Sequence, residues 1–485
     1  MKLKQHGFSC EYEMNVFMRM FFEKDSQGEI STFFEYDGKI IRTRAEVNFG
    51  GRLYRKSYEY EYKRRSARQD KIVFRCFVVR AFTDACEEIK KVSIPWGALS
   101  GIRPAKVVRQ MYESGMTKEE VRKALSEVFG VKGEKIDLAL EVADKEREIL
   151  AAADKNAASV YIGIPFCPSK CLYCSFVSSD MRTGKKYVDE YVRLLGEEIK
   201  KGAAVLSELG MNIENIYIGG GTPTAVSAEK LAEILGYVNK YFDLSHLKEF
   251  TLEAGRADTI TKEKLMLAKD AGVDRISINP QTMNKNTLKT VGRLHDDKDV
   301  INAFEIAREC NFDNINMDLI AGLPGENADD FKYSLEEVIK LDPEDITVHS
   351  LCIKRAAALR LSKYGQADAR EVDRMLSYTQ KRMKETKREP YYMYRQKNIS
   401  GNLENVGYAK PGYYSFYNVN IMEEVQNILA LGGGGSSKIV VGDRIERVFN
   451  FKDACEYIKR FDEILEKKDE FKRLYIGMKS GQKEL

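Results

Sequence analysis

From residue 159 onward, strand-sized apolar runs alternate with amphipathic stretches. The runs SVYIGI (159–164), IENIYI (213–218), EFTLE (249–253), VDRISI (273–278), NINMDLI (314–320) and DITVHS (345–350) are rich in β-branched residues. Near-continuous apolar runs of this length suit strands covered on both faces. Between them lie KKYVDEYVRLLGEEIKKGAAVLSEL, SAEKLAEILGYVNKYF, TKEKLMLAKDAG, DDKDVINAFEIARECN and NADDFKYSLEEVIKLD, with apolar residues at helical spacing. Strands alternating with single helices predict right-handed crossovers and a parallel sheet. Six such units fall short of the eight that close a barrel, so the pattern predicts an α/β protein with a partial, TIM-like (β/α)6 barrel.

The flanks have other rhythms. Residues 1–85 carry aromatic and β-branched runs, EISTFFEY and KIVFRCFVVRAF, separated by glycine-containing turns (DGK, FGG). They predict a small, largely antiparallel sheet. From Thr117 to about Ala153 the spacing turns helical, and Thr117 with Glu120 forms a capping-box pair. The last segment holds a helical stretch (DAREVDRMLSYTQKRMKETK), a tyrosine-rich segment, a glycine run and a charged terminal helix. The expected division is an N-terminal α+β extension (1–152), the partial barrel (153–360) and a mixed C-terminal region covering the substrate (361–485).

A chain of 485 residues is too long for a single core, and 43% hydrophobic with 31% charged residues describes a folded globular protein. MKLKQHGFSCEYEMNVF lacks the apolar stretch of a signal peptide, and no window reaches the roughly 20 apolar residues of a membrane span. The expected setting is the cytoplasm, away from membranes. A net charge of +4 is too small to argue for nucleic acid. The basic stretch 42–71 alternates aromatic and charged residues, as the exposed face of a β-hairpin does.

Nine cysteines, an odd number in a reduced setting, argue against a disulfide framework. Cys10, Cys76, Cys86, Cys310, Cys352 and Cys455 have no neighbour at ligand spacing and suit small buried positions. The other three, Cys167, Cys171 and Cys174, follow the first strand in Pro165-Phe166-Cys167-Pro168-Ser169-Lys170-Cys171-Leu172-Tyr173-Cys174. The second strand runs into Gly219-Gly220-Gly221-Thr222-Pro223-Thr224, the third ends on Glu253 and the fourth leads to Asn279-Pro280-Gln281. The fifth carries Asp318 ahead of Gly322-Leu323-Pro324-Gly325. Parallel α/β proteins bind ligands beyond the carboxyl ends of their strands, so these residues should converge on one mouth. Three thiolates at C-x3-C-x2-C, with no fourth Cys or His nearby, do not complete a structural zinc site. They would leave one iron of a [4Fe–4S] cluster open to a ligand.

This spacing, with Tyr173 before the last cysteine, resembles the radical S-adenosylmethionine (SAM) superfamily. YIGIPFCPSKCLYCSF, IGGGTPT, Arg275-x-Ser277-x-Asn279-x-Gln281 and DLIAGLPGE resemble its oxygen-independent coproporphyrinogen III oxidase-like branch, over about residues 159–350. GYAKPG and LGGGGSSK extend the likeness more loosely, and the chain is similar to the longer, tyrosine-rich members with an N-terminal extension. The resemblance implies that Cys167, Cys171 and Cys174 bind the cluster, whose open iron is chelated by the amino and carboxylate groups of SAM. One-electron reduction then cleaves SAM to methionine and a 5′-deoxyadenosyl radical. Gly220 and Gly221, with Thr222, match the stretch beside the methionyl amino group, where missing side chains permit close approach. Tyr161, Glu253, Gln281, Arg293 and Asp318 match further positions around SAM.

The same resemblance implies oxidative decarboxylation of coproporphyrinogen III to protoporphyrinogen IX in haem biosynthesis, with flavodoxin or ferredoxin as electron donor. A haem-binding or haem-delivery protein on this fold is an alternative, as is radical methyl transfer onto a tetrapyrrole with ring opening. Tyr391-Tyr392-Met393-Tyr394-Arg395-Gln396-Lys397-Asn398 interleaves aromatic and cationic residues, suiting a flat molecule with propionates. Two positions depart from the best-studied members: Gly163 replaces a histidine, and Phe176 replaces a further cysteine.

Overall fold

A computed structural model describes residues 1–481, apart from 65–66, 92–93, 100–102, 155, 355, 363, 365–366, 397–398 and 443. The chain divides into two compact units. One comprises Met1–Asp144 with Tyr394–Glu404, and the other Lys145–Met393 with Asn405–Leu485.

In the first unit, strands β1 (Lys2–His6), β2 (Glu29–Tyr36), β3 (Ile40–Phe49) and β4 (Arg52–Glu61) form a sheet in chain order. The β2–β3 and β3–β4 pairs are antiparallel, whereas β1 lies parallel to β2. The β3–β4 hairpin turns at Gly50 and Gly51, both at positive φ, and carries the charged alternation of the 42–71 stretch only as far as Glu61, because residues 67–71 open a helix. The run KIVFRCFVVRAF is not a strand. It lies inside the helix Ala67–Lys90, which packs on β3 and β4. Phe74, Phe77, Val78, Ala81, Phe82 and Ala85 are buried at three- and one-residue steps, the spacing of a helix face. β-branched and aromatic residues prefer strands only weakly, and burial against the sheet overrides that preference. Thr117 accepts from the Glu120 backbone and Glu120 from the Thr117 backbone, completing the capping box of Lys118–Glu127.

The second unit is a partial (β/α)6 barrel. Its strands β5 (Ala157–Ile164), β6 (Asn212–Gly220), β7 (Glu249–Glu253), β8 (Arg275–Ser277), β9 (Ile315–Ala321) and β10 (Asp345–Ser350) lie side by side in chain order, every neighbouring pair parallel. β5 is buried along almost its whole length, as its apolar run requires. The connecting helices open on caps placed just after the loops: Ser227 for Ala228–Tyr241, Thr261 for Lys262–Asp270, Asp296 for Asp297–Glu309 and Asn327 for Ala328–Leu341.

The last part of the chain extends this sheet at both ends. Beyond β10 come β12 (Glu404–Ala409), antiparallel to it, and then β11 (Glu389–Arg395). Beyond β5 come β13 (Asn427–Gly432), parallel to it, and the antiparallel β14 (Ser436–Val441) and β15 (Arg444–Phe449). No helix among the described residues is long and apolar enough to cross a membrane.

The tyrosine-rich segment is interior structure rather than an open aromatic face. Tyr391, Tyr392, Met393 and Arg395 are buried, and Tyr391 donates 2.6 Å to Asp345 Oδ2. The Arg395 guanidinium lies 5.3 Å from the Trp96 ring centre and donates to the Leu99 carbonyl, while burial pulls its pKa down to about 9. Strand pairing turns these alternating residues into two packed faces. Lys397 and Asn398 lie outside the described residues.

A charged network sits behind β13. Lys468 is 1% and Glu198 0% exposed at the side chain, and they pair at 2.8 Å. Glu198 also accepts from the Gly432 amide at 2.7 Å and from Tyr457 at 2.6 Å, and Lys468 donates 2.7 Å to the Ala430 carbonyl. Removing one member of a buried pair strands the other charge. Lys468→Met is therefore expected to destabilise this unit by about 3–5 kcal/mol, with partial recovery in Lys468→Met/Glu198→Gln, measured by denaturant unfolding.

Candidate active site

Two groups of side chains gather at the carboxyl ends of the parallel strands. The first lies along β5, β6, β7 and β9. Tyr161 and Tyr217 face each other in register, their rings stacked 6.2 Å apart. Tyr217 stacks 4.6 Å from Tyr417 and donates 2.5 Å to Glu253 Oε1. Burial pushes the Glu253 carboxyl up to about 7; the Tyr217 hydrogen bond opposes this and the Asp318 charge adds to it. Burial also pushes Asp318 up, but His349 and Asn316 more than reverse it and leave this carboxyl below its ordinary value. His349 Nε2 lies 3.5 Å from Asp318 Oδ2, and Asn316 Nδ2 donates 2.8 Å to Oδ1. Two neighbouring carboxyls are thus driven apart: Asp318 stays ionised and Glu253 titrates near neutrality.

Gln281 joins this group through its backbone. Its amide donates 2.8 Å to the Asp318 carbonyl, and its carbonyl accepts 2.9 Å from the Ile320 amide. It holds φ at +67°, an uncommon conformation for a non-glycine residue. Its side-chain Oε1 is buried with no hydrogen-bond partner among the described residues. An unsatisfied buried acceptor costs about 1–3 kcal/mol, which a ligand donor would offset.

The second group is the cysteine loop. The Leu172 amide donates 3.0 Å to the Val291 carbonyl, Leu359 donates 2.8 Å to the Leu172 carbonyl, and Ser169 Oγ donates 3.0 Å to the Gly292 carbonyl. The loop is thereby stitched to segments following β8 and β10. Burial pushes the thiols of Cys167 and Cys174 up, and charge on Cys171 raises both further, so the three thiols lie within electrostatic reach of one another. Thr222 Oγ1 donates 3.7 Å to Cys167 Sγ. Arg293 lies against this loop and reaches the segments after β7 and β8, donating 3.4 Å to the Gly255 carbonyl. It is buried, donates 2.5 Å to the Asn279 carbonyl and 3.2 Å to the Tyr173 hydroxyl, and lies against Cys171.

Glycines join the two groups. Gly220, at φ +111°, pairs with Ile164; a Cβ on Gly221 would lie 2.6 Å from the Phe166 carbonyl oxygen. Both glycines let the turn after β6 close on the segment that leads into the cysteines. Gly163 pairs with Gly432, and a Cβ there would lie 2.6 Å from the Gly433 carbonyl oxygen. The glycine run therefore fills the space of any larger residue at 163. Phe176 is 64% exposed.

The radical SAM superfamily profile matches residues 161–338. The chain is also 42% identical over 382 residues to the oxygen-independent coproporphyrinogen-III oxidase-like protein HemZ of Bacillus subtilis (strain 168), covering 77% of this chain and 76% of that protein. It belongs to the coproporphyrinogen-III oxidase-like branch of the radical SAM superfamily. Proteins named heme chaperone HemW are related too. That of Bacillus subtilis is 39% identical over 197 residues, 40% of this chain and 51% of that one. That of Lactococcus lactis subsp. lactis (strain IL1403) is 31% identical over 336 residues, 67% and 82%. The fold matches that of coproporphyrinogen III oxidase (HemN) from Escherichia coli at a TM-score of 0.52 with 22% identity, covering 68% of this chain and 73% of that one.

As a radical SAM protein, the chain uses a [4Fe–4S] cluster and SAM. Its residues suit both. Among the described residues, no three His, Cys, Asp or Glu side chains already enclose a metal position. The donor set is nonetheless chemically apt, with soft sulfur donors on one loop beside buried guanidinium groups. The stranded acceptor of Gln281 and the ionised Asp318 offer partners to hydroxyl and ammonium donors.

Sequence reasoning missed Tyr217, His349, Arg256, Asp258 and His295. Tyr217 sits opposite Tyr161 and so shares its face, and His349 is the penultimate residue of β10. Arg256 and Asp258 follow β7, the position that singled out the other loops.

The Glu253 pKa makes a signed prediction. Its folded value, about 7, lies above the ordinary 4.5, so the folded state holds an extra proton between these values and loses stability as pH rises across that window. Glu253→Gln should show a flatter stability-versus-pH curve than the parent from pH 4.5 to 7, measured by chemical denaturation.

Proposed function

We propose that this chain catalyses oxygen-independent oxidative decarboxylation of coproporphyrinogen III to protoporphyrinogen IX in the cytoplasm. The observation that carries the reading is the three-thiol loop beside a separated carboxyl pair, in a chain 42% identical to a coproporphyrinogen-III oxidase-like protein. In this reading Cys167, Cys171 and Cys174 ligate the cluster, while Tyr161, Gly220, Gly221, Thr222, Glu253, Gln281, Arg293 and Asp318 surround SAM. Residues 361–485 cover the substrate. When bound, the cluster and SAM supply the 5′-deoxyadenosyl radical that removes hydrogen from a propionate side chain.

The protein's part is orientation and charge. Asp318, held ionised by His349 and Asn316, is a permanent acceptor for polar hydrogens. Glu253 adds a second acceptor when its proton leaves near neutral pH. The stacked rings of Tyr161, Tyr217 and Tyr417 wall this side with apolar surface and restrict water. Each propionate loses CO2, a hydrogen atom and one further electron to become a vinyl group. Turnover therefore calls for an electron donor of the flavodoxin or ferredoxin class and an acceptor for the released electron.

The relatives named heme chaperone favour a second reading, in which the chain binds and delivers haem without turnover. Anaerobic reconstitution with reductant, SAM and coproporphyrinogen III separates the two. The expected products are 5′-deoxyadenosine and a porphyrin product lighter by CO2 and two hydrogens at each of two successive steps, read by mass spectrometry, with both at background in Cys171→Ala. An intact cluster that cleaves no SAM, in a protein that binds haem tightly, would overturn the decarboxylase reading.

A further inference from the structure

Arg256 is the most heavily committed charge near the cysteine loop, and it has no part in the arrangement around Glu253 and Asp318. It follows β7, and its side chain is only 3% exposed. Nε and Nη2 donate to the two Asp258 oxygens at 2.9 and 2.8 Å, a bidentate pair that fixes the guanidinium plane. Nη1 then points at the loop, donating 3.0 Å to Ser169 Oγ and 3.9 Å to Cys171 Sγ. Asp258 is held in turn by His295, whose Nδ1 lies 3.3 Å from Oδ1. The other ring nitrogen of His295 is buried without a hydrogen-bond partner among the described residues, as suits a neutral ring donating through Nδ1. Burial keeps the His295 pKa below its ordinary value. The unit is therefore a cation aimed at a sulfur, an anion anchoring it from behind and a neutral histidine fixing the anion.

Three thiolates make a negative ligand set, and one-electron reduction of a cluster adds another negative charge. A buried cation beside one sulfur favours the reduced state, and hydrogen bonds to ligating sulfurs raise the reduction potential. Asp258 opposes that effect by partly neutralising the guanidinium. We propose that Arg256, tethered by Asp258, is a positioning residue that donates to the Cys171 sulfur and raises the reduction potential of the cluster this sulfur ligates. This inference rests on the assignment of Cys171 as a cluster ligand. It adds a device by which the chain eases electron entry.

The test compares parent, Arg256→Gln, Arg256→Lys and Asp258→Asn proteins, each reconstituted anaerobically. Potentials are read by redox titration monitored through the electron paramagnetic resonance of the reduced cluster. Arg256→Gln should shift the one-electron equilibrium about tenfold toward the oxidised state, equivalent to about 59 mV. Arg256→Lys, which keeps the charge but loses the fork, should recover part of the shift. Asp258→Asn should move the potential the opposite way, because the guanidinium is then uncompensated. A role limited to packing would leave the potentials unchanged or move both variants in one direction, and either outcome overturns the inference. If Arg256→Gln takes up no cluster, the sign of the Asp258→Asn shift decides. A parent protein that takes up no cluster overturns the ligand assignment together with this inference. A loaded parent whose variants do not shift overturns the inference alone.

Discussion

Strand β5 is hydrogen-bonded on both sides by parallel neighbours, β6 on one and β13 on the other, and these two ladders carry the site. Near its end all three strands reach glycine: Gly163 lies opposite Gly219 and Gly432, and Ile164 opposite Gly220. The next residues are Pro165, Phe166 and Cys167. Backbone can pack on backbone here only because side chains are missing, and the 2.6 Å approach of the Gly433 oxygen to a Cβ position on Gly163 shows how little room remains. The buried Lys468–Glu198 pair secures the arrangement from behind by holding the Gly432 amide, and Tyr191 closes it by donating to the Gly163 carbonyl and accepting from the Gly433 amide. A buried charged network thus braces the strand ends from which the cysteine loop starts.

Burial alone would push every acid in the mouth toward its neutral form and every thiol away from thiolate. Partners then sort the groups. Asp318 has His349, Asn316 and the charge of Arg275, and it stays ionised; Glu253 has chiefly a tyrosine hydroxyl and a neighbouring anion, and it titrates near 7. On the other side, Arg256 and Arg293 bring two guanidinium groups against Cys171. Negative charge that arises on the sulfurs meets fixed cations in a low-dielectric setting, whereas the carboxyl side keeps acceptors available. The two halves share one rim but carry different electrostatic duties.

The six barrel strands were legible because apolar runs of strand length between capped helices admit few other folds, and a parallel sheet in chain order follows from the alternation. The cysteine loop stood out because three thiols within eight residues must share one short loop. The N-terminal helix Ala67–Lys90 was not. Its aromatic and β-branched residues match a strand in composition, and their helical periodicity shows only once a sheet face is present for them to cover. The tyrosine-rich run failed for a related reason: alternation records two faces but does not say whether either meets solvent.

What the sequence determined alone was local and periodic: the strand–helix alternation, the Thr117 and Glu120 cap, the three cysteines and the polar residues at the strand ends. Tertiary structure decided which of those residues meet. It brought Arg293, Arg256 and His295 to the cysteine loop, set Gly432 against Gly163 and sent the last strands to both ends of the sheet. Such contacts join residues scores of positions apart, through loops whose closure entropy changes slowly with length. Chain spacing therefore carries almost no trace of them, and only the packed arrangement selects one pairing from many.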